Sequence, residues 1–269
     1  MRIHVVHRTR YAYEGLARQI IQVLRVTPRP HDGQHVHGWR LDADADVRLR
    51  LGEDAFGNVV HSLWTEQPLE QLELTVSGEA TTDDMGGVLS GQLERLPAEV
   101  YLRRTPLTAP NAAIIELARA IGGEAADPLG RAHALMAAIN GRMTFEVGAT
   151  DAGVSAAEAW ELGRGVCQDL AHVFVSAARL LGQPARYVSG HLAREDGALQ
   201  EASHAWAEAY VPDLGWVSFD PANGVCPGER YVRVAIGLDY LDAAPVRGAR
   251  QGGGTERLSV RLAVRQVQQ

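Results

Sequence analysis

Along residues 1–95 short apolar-rich runs recur, with turn-forming residues between them. Arg2–His7, Ile20–Val26, Val47–Leu51, Val59–Leu63 and Leu69–Val76 each have strand length and strand composition. Pro28-Arg29-Pro30, His31-Asp32-Gly33 and Phe56-Gly57-Asn58 break them. Within Leu69–Val76 the apolar spacing is nearer to 2 than to 3.6, which predicts an antiparallel sheet or sandwich.

The character changes at Pro97, Pro106 and Pro110, and helical spacing follows. Ala112–Ile121 has apolar residues three and four apart and meets Gly122-Gly123, a C-terminal stop. Asp127 before Pro128 reads as an N-cap with proline in the first turn; that helix buries Leu129, Leu135, Met136 and Ile139 and is expected to stop at Gly141. Ser155-Ala-Ala-Glu158 reads as a capping box for a short helix through Leu162. After Gly163-Arg-Gly-Val-Cys-Gln-Asp169 comes the most apolar helix of the chain. Leu170, Val173, Phe174, Ala177, Ala178 and Leu181 recur at helical spacing with Val175 and Leu180 beside them, a surface wide enough to be buried on most sides.

Beyond Gly182 and Pro184 the period returns to 2. Ala185–Gly190, His204–Val211 and Trp216–Phe219 read as strands, the last two joined by the turn Pro212-Asp-Leu-Gly215. Tyr231–Ile236 and Leu258–Val264 are further strands, separated by Gly252-Gly-Gly254. The expected class is α+β: a β-rich domain over 1–96, a connecting segment over 97–110, and a domain over 111–269 of helices on an antiparallel sheet with C-terminal strands.

Composition fits a globular protein of 269 residues, with 46% hydrophobic and 22% charged residues. The net charge of −7 argues against nucleic acid and anionic membrane as partners. No run approaches the roughly 18 apolar residues of a membrane span. Two cysteines, Cys167 and Cys226, make neither a disulfide framework nor a tetrahedral zinc site, so a reducing, cytoplasmic compartment is the simplest expectation. His31, His35 and His37 lack accompanying cysteines and the metalloprotease spacing, and read as solvated. No metal and no cofactor is called for.

Cys167 stands where a glycine-flanked loop enters the buried helix. The free N–H groups and partial positive charge of a helix N-terminus favour thiolate over thiol and can donate to an oxyanion. A free cysteine is as often only a small buried hydrophobe. His204 opens one hairpin strand and Asp220 ends the next. Taken singly, a strand histidine and an aspartate before proline are usually structural. Together they can meet across the hairpin, subject to register. A symmetric turn centred between Asp213 and Leu214 pairs Asp220 with Ala207 and puts His204 on the opposite face. A meeting requires the pairing to centre on Pro212, or a bulge that shifts it by one. The expectation is therefore an irregular hairpin.

Three other residues are candidates for binding substrate. Trp160 and Trp206 could wall a cleft or fill the core. Asp169, in the first turn after Cys167, could complement the helix dipole or hold a loop of the cleft.

Gly165-Val-Cys-Gln-Asp-Leu-Ala-His172, Leu181-Gly-Gln-Pro-Ala-Arg-Tyr-Val-Ser-Gly190, Ser203-His-Ala-Trp206 and Gly215-Trp-Val-Ser-Phe-Asp-Pro221 resemble the bacterial transglutaminase-like family of cysteine-protease type. His7-Arg-Thr-Arg-Tyr11, Arg25-Val-Thr-Pro-Arg-Pro30 and Asp54-Ala-Phe-Gly-Asn58 resemble its N-terminal β domain, and Gly237-Leu-Asp-Tyr240 and Pro245-Val-Arg-Gly248 its tail, with Leu238 where an arginine is expected. The resemblance implies a papain-like core in which a Cys–His–Asp triad falls on Cys167, His204 and Asp220. It further implies a thioester intermediate formed from an amide or isopeptide bond of a peptide or protein substrate. Hydrolysis is the favoured outcome. Transfer to an amine, as in a transglutaminase, and a catalytically silent peptide-binding module are the alternatives.

Overall fold

In the computed structural model, residues 1–124 and 127–267 are described. The N-terminal segment forms β1 (Arg2–Thr27), β2 (Gln34–Ala43), β3 (Val47–Glu53), β4 (Val59–Thr65) and β5 (Leu69–Thr82). Helix α1 (Ala112–Glu124) follows, then α2 (Pro128–Arg142), β6 (Thr144–Phe145), α3 (Ala156–Leu162), β7 (Arg164–Gly165) and α4 (Cys167–Leu180). The remainder is β8 (Ala185–Leu192), β9 (His204–Val211), β10 (Gly215–Phe219), β11 (Tyr231–Gly237), α5 (Tyr240–Ala243), β12 (Val246–Gly252) and β13 (Glu256–Gln266).

The expected α+β class holds, with differences in where the strands run and how they pair. Arg2–His7 and Ile20–Val26 are the two ends of one strand of 26 residues. Its buried positions fall on odd numbers from Ile3 to Tyr13 and on even numbers from Ile20 to Val26. The parity change coincides with register breaks between Ala12 and Ala17 and between Ala17 and Gln19, where the strand bends. The C-terminal strands, expected with the second domain, complete the first sheet instead: β13 pairs with the first half of β1 and β12 with the second half. That sheet has the order β2-β5-β1-β4-β3, with β12 and β13 added to β1.

The caps act as the residues dictate. Asp127 accepts from the Gly130 N–H at 2.8 Å, and Ser155 and Glu158 close the reciprocal capping box. Two expected stops are overrun: α1 continues through Gly122-Gly123 to Glu124, and α2 passes Gly141 to Arg142. Helix α4 is buried without a break from Asp169 to Arg179, as its apolar width predicts. It lies against the alanine face of β9, where Ala205, Ala207 and Ala209 let a helix approach closely, and α1, α2 and α3 surround it. The second sheet has the order β10-β9-β8-β11.

The two sheets join at the free edge of β11. The Asn58 amide donates to Ile236 O at 2.7 Å and accepts from Ile236 N at 2.8 Å; Gln34 does the same with Arg233, at 2.9 and 2.7 Å. Two side-chain amides thus satisfy the edge as a neighbouring strand would. Asn58 is held in turn by Asp54, whose carboxylate accepts from the Asn58 side chain and from the Phe56 and Asn58 N–H groups, each at 3.0 Å. Gly57 completes that turn at φ 85°, a conformation open to glycine.

Candidate active site

Cys167 is the first residue of α4, so its backbone N–H has no carbonyl a turn earlier to meet. The thiol is free and partly exposed; Cys226 is also free. Asp169 secures the turn that presents it. Its carboxylate, 1% exposed, accepts from the Val166 N–H at 2.8 Å and from the Thr150 hydroxyl at 2.6 Å. Of the two structural roles open to Asp169, the loop-holding one describes these contacts. Gly165 is required beside it, because a Cβ there would lie 2.5 Å from Asp169 Oδ2. Burial raises the Asp169 pKa against the pull of these hydrogen bonds.

The β9–β10 hairpin brings His204 and Asp220 together by a route the sequence did not suggest. Its ladder is regular, running from Gly215 opposite Val211 to Phe219 opposite Ala207. The centre is Asp213 rather than Pro212, and no bulge occurs. Carried one step further, this register sets Asp220 opposite Trp206, which shares the face of His204. The odd-length connection is absorbed in the turn. Leu214 N–H closes onto Val211 O at 3.2 Å, with Pro212 second and Asp213 third in the left-handed region at φ 66°.

His204 Nε2 lies 2.6 Å from Asp220 Oδ2. Asp220 is fully buried, and its carboxylate also accepts from Asn223 Nδ2 at 2.7 Å, Tyr231 Oη at 2.8 Å, Ala222 N at 3.0 Å and Asn223 N at 3.2 Å. Burial alone would raise its pKa, but the bonds from His204, Asn223 and Tyr231 hold it below the usual carboxylate range. Burial likewise pulls the His204 pKa down. The charge of Cys167, hydrogen bonds to Asp220 and Cys167 and the charge of Asp220 outweigh it and push the value up to about 10. The imidazole ring is flanked by Trp206, with centroids 6.2 Å apart, and by Tyr231 at 5.8 Å.

His204 and Asp220 therefore meet, and Cys167 at the start of α4 is near enough for its charge to act on the imidazole, while the other candidates divide. Trp206 backs His204 but is itself buried. Trp160 sits in the helical core, 3% exposed, with the Arg142 guanidinium 4.2 Å from its ring centre. Asn223 and Tyr231 were not foreseen. The one available signal was Asn223 in the turn after Asp220-Pro221; nothing marked Tyr231. Leu238 packs against the cluster of Tyr101, Trp216 and Ile236, its carbonyl accepting from Arg179 at 2.7 Å and its N–H donating to Asp242 at 3.1 Å. Among the described residues no group of three or more His, Cys, Asp or Glu is arranged to hold a metal ion, and no helix is long and apolar enough to cross a membrane.

Residues 3–81 match the bacterial transglutaminase-like N-terminal region, and residues 115–221 match the transglutaminase-like superfamily core. An uncharacterized protein of Mycobacterium leprae (strain TN) is 30% identical over 272 residues, 96% of either chain. The chain belongs to the transglutaminase-like superfamily. The superfamily core match runs from within α1 past Asp220, so it takes in Cys167, His204 and Asp220. The fold is shared with a proposed cysteine protease from Cytophaga hutchinsonii, at TM-score 0.78 and 19% identity over 100% of this chain and 92% of that one. A protein-glutamine gamma-glutamyltransferase of Pseudomonas aeruginosa is 33% identical over 103 residues, which is 33% of this chain and 15% of that protein.

Proposed function

We propose that this transglutaminase-like protein is a thiol acyl-transfer enzyme that hydrolyses amide or isopeptide bonds of a peptide or protein substrate. Cys167 is the nucleophile, His204 the acid–base and Asp220 the group that fixes the imidazole. The observation that carries the reading is His204 itself, held at 2.6 Å on one nitrogen by a fully buried carboxylate and raised in pKa by Cys167 and Asp220 against its burial.

His204 takes the thiol proton, and the resulting thiolate attacks the carbonyl carbon. The C=O π pair moves onto oxygen. As the tetrahedral species collapses, the C–N bond breaks and the leaving amine or ammonia takes the proton from His204. Water then attacks the thioester, giving its proton to His204, and the acid and thiol are released. Hydrolysis needs only water at the acyl carbon, whereas transfer to an amine needs a site that excludes it.

Rapid labelling of Cys167 by iodoacetamide, lost in His204→Ala, is the expected result; sluggish labelling of both proteins would leave only peptide binding on this fold. The local likeness to the Pseudomonas aeruginosa protein-glutamine gamma-glutamyltransferase makes amine transfer the second reading. A glutamine-containing peptide with a labelled amine separates the two: ammonia release without amine incorporation is expected, and stoichiometric incorporation would overturn hydrolysis.

A further inference from the structure

Acyl transfer generates an oxyanion, and the backbone N–H of Cys167 supplies one donor to it. A second donor stands on the sheet below. Tyr187 pairs with Ala207 and so points from the alanine face of the sheet toward α4. Its side chain is 2% exposed.

The ring is fixed on two sides, by His172 of α4 with centroids 5.0 Å apart and by Tyr240 at 6.2 Å. His172 cannot turn away, since its Nε2 accepts the Tyr240 N–H at 3.0 Å. Cys167 and Ala171 lie one helical turn apart on one face of α4. Ala171 is buried in the cluster that contains Tyr187, and Cys167 packs against that same cluster. The Tyr187 pKa lies well above the ordinary phenol value, through burial first and then the charge of Cys167. The phenol thus keeps its proton and remains a donor.

We infer that Tyr187 is a catalytic residue whose hydroxyl donates the second hydrogen bond to the oxyanion formed at Cys167. The inference rests on the thiol acyl-transfer reading above. As the C–S bond forms and the carbonyl π pair moves to oxygen, the Tyr187 O–H shortens its contact to that oxygen; no proton changes owner at Tyr187. When the pair returns and expels the leaving group, the contact relaxes.

Two reagents separate this role from thiolate activation and from packing. Iodoacetamide alkylates sulfur by displacement at a saturated carbon and forms no oxyanion. p-Nitrophenyl acetate acylates sulfur through a tetrahedral oxyanion and releases p-nitrophenolate. In Tyr187→Phe, which keeps the ring, the alkylation rate and its pH profile are expected to stay within twofold of the native protein, while the acylation burst slows by about 10²-fold, the usual cost of one oxyanion donor. Unchanged acylation would overturn the proposal, and so would equal slowing of both reactions, which would mean that Tyr187 acts on the thiol or the fold. A native protein that alkylates slowly and never acylates would instead overturn the acyl-transfer reading.

Discussion

His204 and Asp220 meet diagonally: the hairpin register places Asp220 opposite Trp206, two residues beyond His204 on the same face of β9, and the two side chains close the gap at 2.6 Å. A diagonal pair leans along the strand, so its geometry depends on what holds each side chain. Asp220 is held by four further hydrogen bonds, and His204 by the rings of Trp206 and Tyr231. Asp220→Asn keeps the shape and loses the negative charge that favours the imidazolium. The acylation burst with p-nitrophenyl acetate should fall by about 10²- to 10⁴-fold, the span that positioned acid–base groups contribute. Circular dichroism should remain native.

Tyr231→Phe removes one donor from the Asp220 carboxylate and leaves its ring against His204. A hydrogen bond to a charged group is worth about 1.5–3 kcal/mol, so the folded protein should lose stability of that order in urea titration. Sign follows from Asp220: its folded pKa is depressed, so its contribution is present above the unfolded value and lost as pH falls through the folded one. With Tyr231 gone the folded value rises, and that acid loss should begin at higher pH than in the native protein.

What was legible in the sequence follows from how local each signal is. Cys167 at a helix entrance, the caps at Asp127 and Ser155, and the change of period after Pro184 are written within a few neighbouring residues, and all appear in the structure. The hairpin register was not legible, because it turns on Asp213 adopting a left-handed backbone, which Asp tolerates without requiring. β2 and β12 were missed because their solvent-facing positions leave short, mostly polar runs whose pairing partners lie far away in sequence. Tyr187 and Tyr231 read as ordinary strand aromatics; only the assembled sheet sets Tyr231 on Asp220 and Tyr187 on the face toward α4.

Asn58 shows how a distant residue can be fixed by backbone groups alone. Both its amide atoms bond the edge of β11 at Ile236, and the site is buried. Asn58→Ala leaves one N–H and one C=O without partners, each costing about 1–3 kcal/mol. A loss of roughly 2–6 kcal/mol on this basis should appear in chemical denaturation. Asn58→Asp restores only the acceptor and should recover less than half of it. If Asn58→Ala is as stable as the native protein, the amide does not tie the two sheets.

Stability should peak near pH 6.5, with a different group eroding it on each side. On the acid side, burial lowers His7 to about 4 and His172 and His191 to about 3. The unfolded chain then binds more protons than the folded one below about 6.5, and stability falls with pH; for His7 alone the loss by pH 4 is roughly 3 kcal/mol at 1.36 kcal/mol per unit. On the alkaline side His204, raised to about 10, binds a proton that its unfolded form releases near 6.5. Its contribution is fully present below 6.5 and is lost as pH rises to about 10. Because the charge of Cys167 is the largest favourable cause of that rise, Cys167→Ser should flatten the alkaline limb and leave the acid limb unchanged. His7→Phe should make the acid limb shallower by roughly 3 kcal/mol at pH 4, with His172 and His191 still eroding stability there, and leave the alkaline limb unchanged. Urea midpoints measured from pH 4 to 10 on the three proteins decide it, and an alkaline limb that survives Cys167→Ser would show that Cys167 is not what raises His204.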